Sequence, residues 1–192
     1  MIRRWLAAAV LTLAATSSVA AQRVTVNGAG FPASERVGDH TLALAGTGTA
    51  TYRIFITVYA AAFYAPSGTP RSAVLDADVP RRLVIQYFHD IRADQIVEAS
   101  MKILRRQLSD QQLQAIADRL QRFMGWLTDV TDGDRYAISY EPGTGTTLYF
   151  NGRRVGTIEG ADFARAYFGI WLDDRPVSDD LRSDLLADLT RH

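Results

Sequence analysis

The chain predicts an α+β fold, a mostly antiparallel sheet of six or seven strands with four helices on one face. Three observations carry that expectation. Strand-like alternation is broken by turn dipeptides, above all Asn151-Gly152, which suits the positive φ angles of a two-residue hairpin. After Phe88 the apolar period changes from strand-like to helical. Finally, helix-start signals recur at Ser109 and Ser178, and a further helical stripe follows Gly160. A chain of 192 residues without internal duplication reads as one domain.

Taken in order, Arg3 and Arg4 precede an apolar run from Trp5 to Ala15 and small residues ending Val19-Ala20-Ala21. This pattern predicts a secretory signal peptide over residues 1–21 and an exported domain over 22–192, periplasmic in a Gram-negative cell. No later stretch approaches the roughly 18 apolar residues of a membrane helix, so no stable membrane insertion is expected after cleavage. Arg23 to Val26 alternates as a short strand, and Asn27 to Pro32 reads as a turn-rich link. Glu35 to Ala45 is a strand candidate ending in Gly46-Thr47-Gly48. That Gly-x-Gly runs into β-branched and aromatic residues instead of a helix, which excludes a dinucleotide fingerprint.

Tyr52 to Ala65 is apolar on both parities and predicts a central strand covered on both sides. Its Ala60-Ala61-Ala62 run lets something approach closely, either a packed helix or a ligand. Leu83 to Phe88 is the next strand. Val97, Met101, Leu104 and Leu108 then share a helix face, with Asp90 or Asp94 as expected caps. Ser109 with Gln112 forms a capping box, with Leu108 and Leu113 at the staple positions, so a second helix starts at once. From Arg135 come three strands, the last two joined at Asn151-Gly152 with Phe150 facing Arg153 and Leu148 facing Val155. Phe163, Tyr167, Ile170 and Trp171 mark the third helix, and Leu181, Leu185 and Leu189 the fourth.

The formal net charge is zero and 21 basic residues are scattered among 21 acidic ones, so nothing points to nucleic acid. Loss of Arg3 and Arg4 would leave the chain negative. Cysteine is absent, which removes disulfides, thiol nucleophiles and thiolate metal sites. There is no Gly-x-Ser-x-Gly elbow, no His-Glu-x-x-His and no complete calcium loop at Asp132-Gly133-Asp134. His89-Asp90 is a poor dyad, because neighbours on an extended chain point to opposite faces. Gly143-Thr144-Gly145-Thr146 could form an anion nest, yet no lysine or helix start follows it.

Gly46-x-Gly48 leading to VYAAAFYA, RRLVIQYFHDIRAD before a helix, and GDRYAISYEPGTGTTLYFNGRRVGTIEGADFARAYFGIWLDDRP together resemble the chalcone isomerase-like family over about Thr41 to Leu189. The resemblance implies an open-faced β-sandwich, a large antiparallel sheet with helices layered on one side and a ligand cleft between them. In the isomerases an arginine anchors a phenolate while threonine, tyrosine and asparagine polarise the substrate; other branches bind fatty acids or haem. The arginine's place falls on Ala50 or Thr51, with Arg53 nearby, and the tyrosine and asparagine would fall near Gln95 and Lys102. The catalytic set is therefore unmatched, and a non-catalytic, cofactor-free binder of a small apolar or amphipathic ligand, fatty-acid-like, is expected. The expected ligand-binding residues are Arg53, Thr57, Tyr59, Tyr64, Gln95 and Lys102, with no catalytic and no metal-binding residue. An isomerase acting on another substrate, a haem protein using His40 or His89, and a structural protein are the alternatives.

Overall fold

The computed structural model describes residues 23–52 and 56–190. The expected signal peptide, Arg53 and His192 lie outside the described residues.

Seven strands form one antiparallel sheet in sequence order: β3 (Ser34–Val37), β4 (His40–Tyr52), β5 (Ile56–Ala65), β6 (Arg81–Tyr87), β7 (Arg135–Glu141), β8 (Gly145–Phe150) and β9 (Arg153–Ile158). One face carries α1 (Ala93–Gln107), α2 (Asp110–Met124), α3 (Ala161–Leu172) and α4 (Asp179–Leu185). On the opposite face lies a small hairpin of β1 (Arg23–Val26) and β2 (Ala29–Pro32). The stretch expected to be a link thus contains a strand: Asn27 and Gly28 both take positive φ and turn the chain back on itself.

The alternation of β5 explains the alanine run. Ala60, Ala62 and Tyr64 face the hairpin, where Ala29 and Phe31 are fully buried against them. Ala61, Phe63 and Ala65 face the helices. The close approach comes from a hairpin on one side and helices on the other.

Two expected strands divide differently. Glu35 to Ala45 breaks at Gly38, whose φ of 55° turns β3 into β4, and β4 continues through Gly46-Thr47-Gly48 to Tyr52. The expected Tyr52 to Ala65 strand is two strands, since Tyr52 pairs with Ile56 and the chain reverses between them. Turn residues were expected at such a reversal, and β-branched and aromatic residues hid it. At the other hairpin Asn151 and Gly152 take φ of 48° and 78°, and Phe150 pairs with Arg153 as expected. Leu148, however, pairs with Gly156, leaving Val155 as a bulge that is 40% exposed. Beside the bulge the Trp126 ring lies over Gly156, where a Cβ would stand 2.5 Å from the indole.

α2 starts with the expected capping box, Ser109 Oγ accepting from Gln112 N and Gln112 Oε1 accepting from Ser109 N. α1 is capped otherwise than expected. Neither Asp90 nor Asp94 caps it; Asp129, from the loop before β7, accepts from Ala93 N at 2.8 Å. Asp94 instead pairs with Arg92 in the first turn. Ser178 caps α4 through Leu181 N.

Candidate functional site

α1 does not lie flat on the sheet. Its C-terminal end is tied to the segment between α3 and α4: Arg106 donates to Arg175 O and Pro176 O, and Gln107 to Gly169 O and Arg175 O. Its N-terminal end is tied by Asp129. Between these two attachments a cavity of about 230 Å³ opens, floored by β5 and β6 and walled by α1, α3 and Val177. Gln95, Ile96, Ala99, Ser100 and Ile103 supply the α1 wall, at the i, i+1, i+4, i+5, i+8 spacing of one helix face. Ile170 and Trp171 come from α3.

The floor owes its shape to a bulge. Ala50 pairs with Tyr59 and Thr51 with Thr57, so Val58 has no partner on β4. Consecutive residues Val58 and Tyr59 consequently both line the cavity, which regular alternation would forbid. Below the main space a chamber of about 30 Å³ shares Tyr87, Ile96, Ser100 and Trp171 with it and adds Tyr136 and Tyr167.

Among the described residues, none that lines either space is charged. Polarity comes from hydroxyls. Tyr59 Oη accepts from Trp171 Nε1 at 3.0 Å. Ser100 Oγ donates to Ile96 O at 2.8 Å, and Tyr167 lies beside Ser100 at the small chamber. Tyr136 is engaged with both N and O of Thr128. Burial dominates the ionisation of Tyr59, Tyr87 and Tyr167: it pushes Tyr59 up to about 12, against the lowering hydrogen bond from Trp171. Tyr87 and Tyr167 are raised by the same desolvation, reinforced by neighbouring tyrosines. All are neutral hydrogen-bonding groups at physiological pH.

Because the folded state holds these protons more tightly than the unfolded chain, their contribution to stability is complete below about pH 10 and is lost as pH rises beyond it. Tyrosine absorbance should therefore show a cooperative ionisation that coincides with unfolding by circular dichroism. A gradual titration of all eight tyrosines near their ordinary value, with the fold intact, would contradict this.

Of the residues expected to bind ligand, Tyr59 and Gln95 line the cavity. Thr57 does not, since the bulge at Val58 separates it from Tyr59. Tyr64 is on the opposite face of the sheet and donates to Pro32 O at 3.0 Å, making it a packing residue of the hairpin side. Lys102 is exposed on α1 and does not line the cavity, so it cannot anchor a head group there. Arg53 lies outside the described residues. His40 and His89 are exposed and neither reaches the cavity, which removes the basis for an axial haem ligand in it. Among the described residues no cluster of histidine or carboxylate side chains could hold a metal ion, and no helix is long and apolar enough to cross a membrane.

The expected resemblance can be set against known proteins. A chalcone isomerase-like family model matches residues 22–187. The chain belongs to that family. No curated protein matches the sequence. A solved structure similar to this chalcone isomerase-like chain is a fatty-acid binding protein of Arabidopsis thaliana, at 18% identity and a TM-score of 0.67, covering 86% of this chain and 96% of that one. Both comparisons agree with the fold of an open sheet with helices layered on one face. Of the two residues at the place the resemblance gives to the family's anchoring arginine, Ala50 is buried and Thr51 exposed. Tyr87, Ser100 and Trp171 were not expected at the site. Tyr87 ends a strand and Trp171 ends a helix stripe, and only the crossing of those elements brings them together.

Proposed function

We propose that this chain is an exported member of the family that binds one slender apolar or amphipathic molecule in the cleft between sheet and helices, without turning it over. The observation that carries the reading is the cavity itself, about 230 Å³, mostly apolar, with no charged group among the described residues that line it, set between the sheet and α1. Small-molecule pockets usually span roughly 300–1,000 Å³, so this one suits a narrow chain better than a fused ring system. The isomerase chemistry lacks support, because no cation among the described residues lines the cleft to anchor a phenolate and the resemblance puts Ala50 or Thr51 in the arginine's place. The Arabidopsis protein of similar fold, described as fatty-acid binding, supports the same ligand class. Export, with the periplasm as destination in a Gram-negative cell, rests on Arg3, Arg4, the Trp5 to Ala15 run and the small residues up to Ala21.

Native mass spectrometry of the exported protein, followed by organic extraction, should recover a chain-like amphiphile. Ala99→Trp, which fills the cavity from the α1 wall, should release it while leaving the melting temperature within a few degrees. Wild-type protein that extracts empty and displaces no fluorescent lipid probe would refute the binder. Consumption of chalcones, followed by absorbance, would refute the non-catalytic part.

A further inference from the structure

Hydrogen-bond donors in the cleft can be assigned one by one. The Tyr136 proton goes to Thr128 O. The Ser100 proton goes to Ile96 O, and the Tyr167 hydroxyl beside Ser100 belongs to the small chamber and not to the main cavity. The Trp171 N–H goes to Tyr59 Oη. Two protons remain. Among the described residues, neither the Tyr59 nor the Tyr87 hydroxyl donates to any protein group, and both residues line the cavity.

These two residues are direct partners across β5 and β6, so their side chains rise side by side from the floor, with ring centroids 5.8 Å apart. Trp171 fixes one of them from above, since its bond to Tyr59 Oη occupies a lone pair and leaves the hydroxyl proton to point elsewhere. Tyr87 is held edge-on by Tyr59 and by Tyr136. A pair of spare, pre-oriented donors in an apolar cleft calls for an acceptor that brings no donor of its own.

Charge narrows the class further. An ionised carboxylate placed among these residues would be desolvated with no cation among the described lining residues to compensate it. A carbonyl oxygen has two lone pairs for two donors and carries no net charge. Granted the cleft-binding reading above, we propose that the ligand's buried end is an uncharged carbonyl, of a ketone, aldehyde or ester on an elongated apolar body, held by the Tyr59 and Tyr87 hydroxyls. A fatty acid would then enter with its carboxylate left at the mouth beside Gln95, and would bind less well than its neutral carbonyl counterpart.

The test compares three probes of one chain length, a methyl ketone, the carboxylate and the parent alkane, by displacement of a fluorescent lipid probe at about pH 8, where the acid is ionised. The ketone should bind at least about tenfold more tightly than the carboxylate. Tyr59→Phe and Tyr87→Phe keep the rings and remove only the donors. Each should weaken ketone binding by about two- to tenfold, the size of one net hydrogen bond, and leave alkane binding unchanged. Equal or tighter binding of the carboxylate overturns the proposal while sparing the cleft-binding reading. Unchanged ketone affinity in both phenylalanine variants overturns it too. Failure of all three probes to bind overturns the cleft-binding reading along with it.

Discussion

Replacing Arg81 by alanine should cost about 3–5 kcal/mol, one of the largest losses open to a single substitution in this chain. The side chain is completely buried at the start of β6. It lies between two aromatic rings, 4.5 Å from the Tyr140 centroid and 5.1 Å from that of Phe168. Its Nη1 donates to Asp76 O and Val79 O, at 2.9 and 3.0 Å, and Tyr140 Oη adds a bond to Ala77 O. Together they fasten the segment before β6 to the sheet. No carboxylate offsets the charge at contact distance: Asp76, the nearest acid to act on it, is turned to Arg165 at 4.0 Å. Burial accordingly lowers the Arg81 pKa to about 10.

Alanine would leave a cavity and two carbonyls without their donor. Methionine separates the two effects. It restores most of the volume and removes a buried charge, which is often neutral or favourable, so only the orphaned carbonyls remain, at about 1–3 kcal/mol. Urea titration should thus rank wild type above Arg81→Met above Arg81→Ala. An alanine variant within about 1 kcal/mol of wild type would show that the buried guanidinium is not what holds this segment.

That residue also marks where sequence reading stops. An arginine directly after Pro80 and before Arg82 carries no signal of burial, because the partners that bury it come from β7 and α3, some sixty and ninety positions away in the chain. Local signals fared better. Asn151-Gly152, the Ser109 capping box and the Ser178 cap are encoded within four residues each, and the structure has them where they were expected. The hairpin register held for Phe150–Arg153 and Tyr149–Arg154 and slipped at Val155, next to the Gly156 that sits under Trp126, a long-range contact with no local signal.

The same division runs through the cleft. Tyr59 was legible because its strand is, and Gln95 because the resemblance gave it a place on α1. Tyr64 was misassigned for an arithmetic reason: with strict alternation it already lies on the other parity from Tyr59, and no ligand can touch both faces of one sheet. The bulge at Val58 then removed Thr57. Tyr87 and Trp171 become neighbours of Tyr59 only through the β5–β6 pairing and the Trp171 hydrogen bond, each a long-range fact.

Gly46→Ala should be the second severe variant, lowering stability by about 3 kcal/mol, or roughly 6–12 °C in melting temperature for a domain of this size. Gly46 does not need a positive φ; it needs the absence of a side chain. A Cβ there would run into the backbone carbonyls of Asp184 and Leu185, where α4 presses on β4. The strand is shaped for this approach. Ala45 is an unpaired bulge residue between Leu44 and Gly46, and its carbonyl accepts from Asp188 N at 2.9 Å, just past α4. Backbone cannot yield as a side chain can, so α4 would have to lift, exposing Leu181 and Leu185, both fully buried. Gly48 provides a graded comparison. Its Cβ would meet Leu181 Cδ1 at 2.9 Å, which can turn away, and Asp184 Cβ at 2.8 Å, which moves only with its backbone but stands farther off than the carbonyls facing Gly46, so Gly48→Ala should cost less, about 1–2 kcal/mol. The Gly-x-Gly that superficially suggests a nucleotide loop is then a helix seat with unequal halves. Melting curves in which the two alanine variants fall by the same amount would show that close approach of the α4 backbone is not the reason for Gly46.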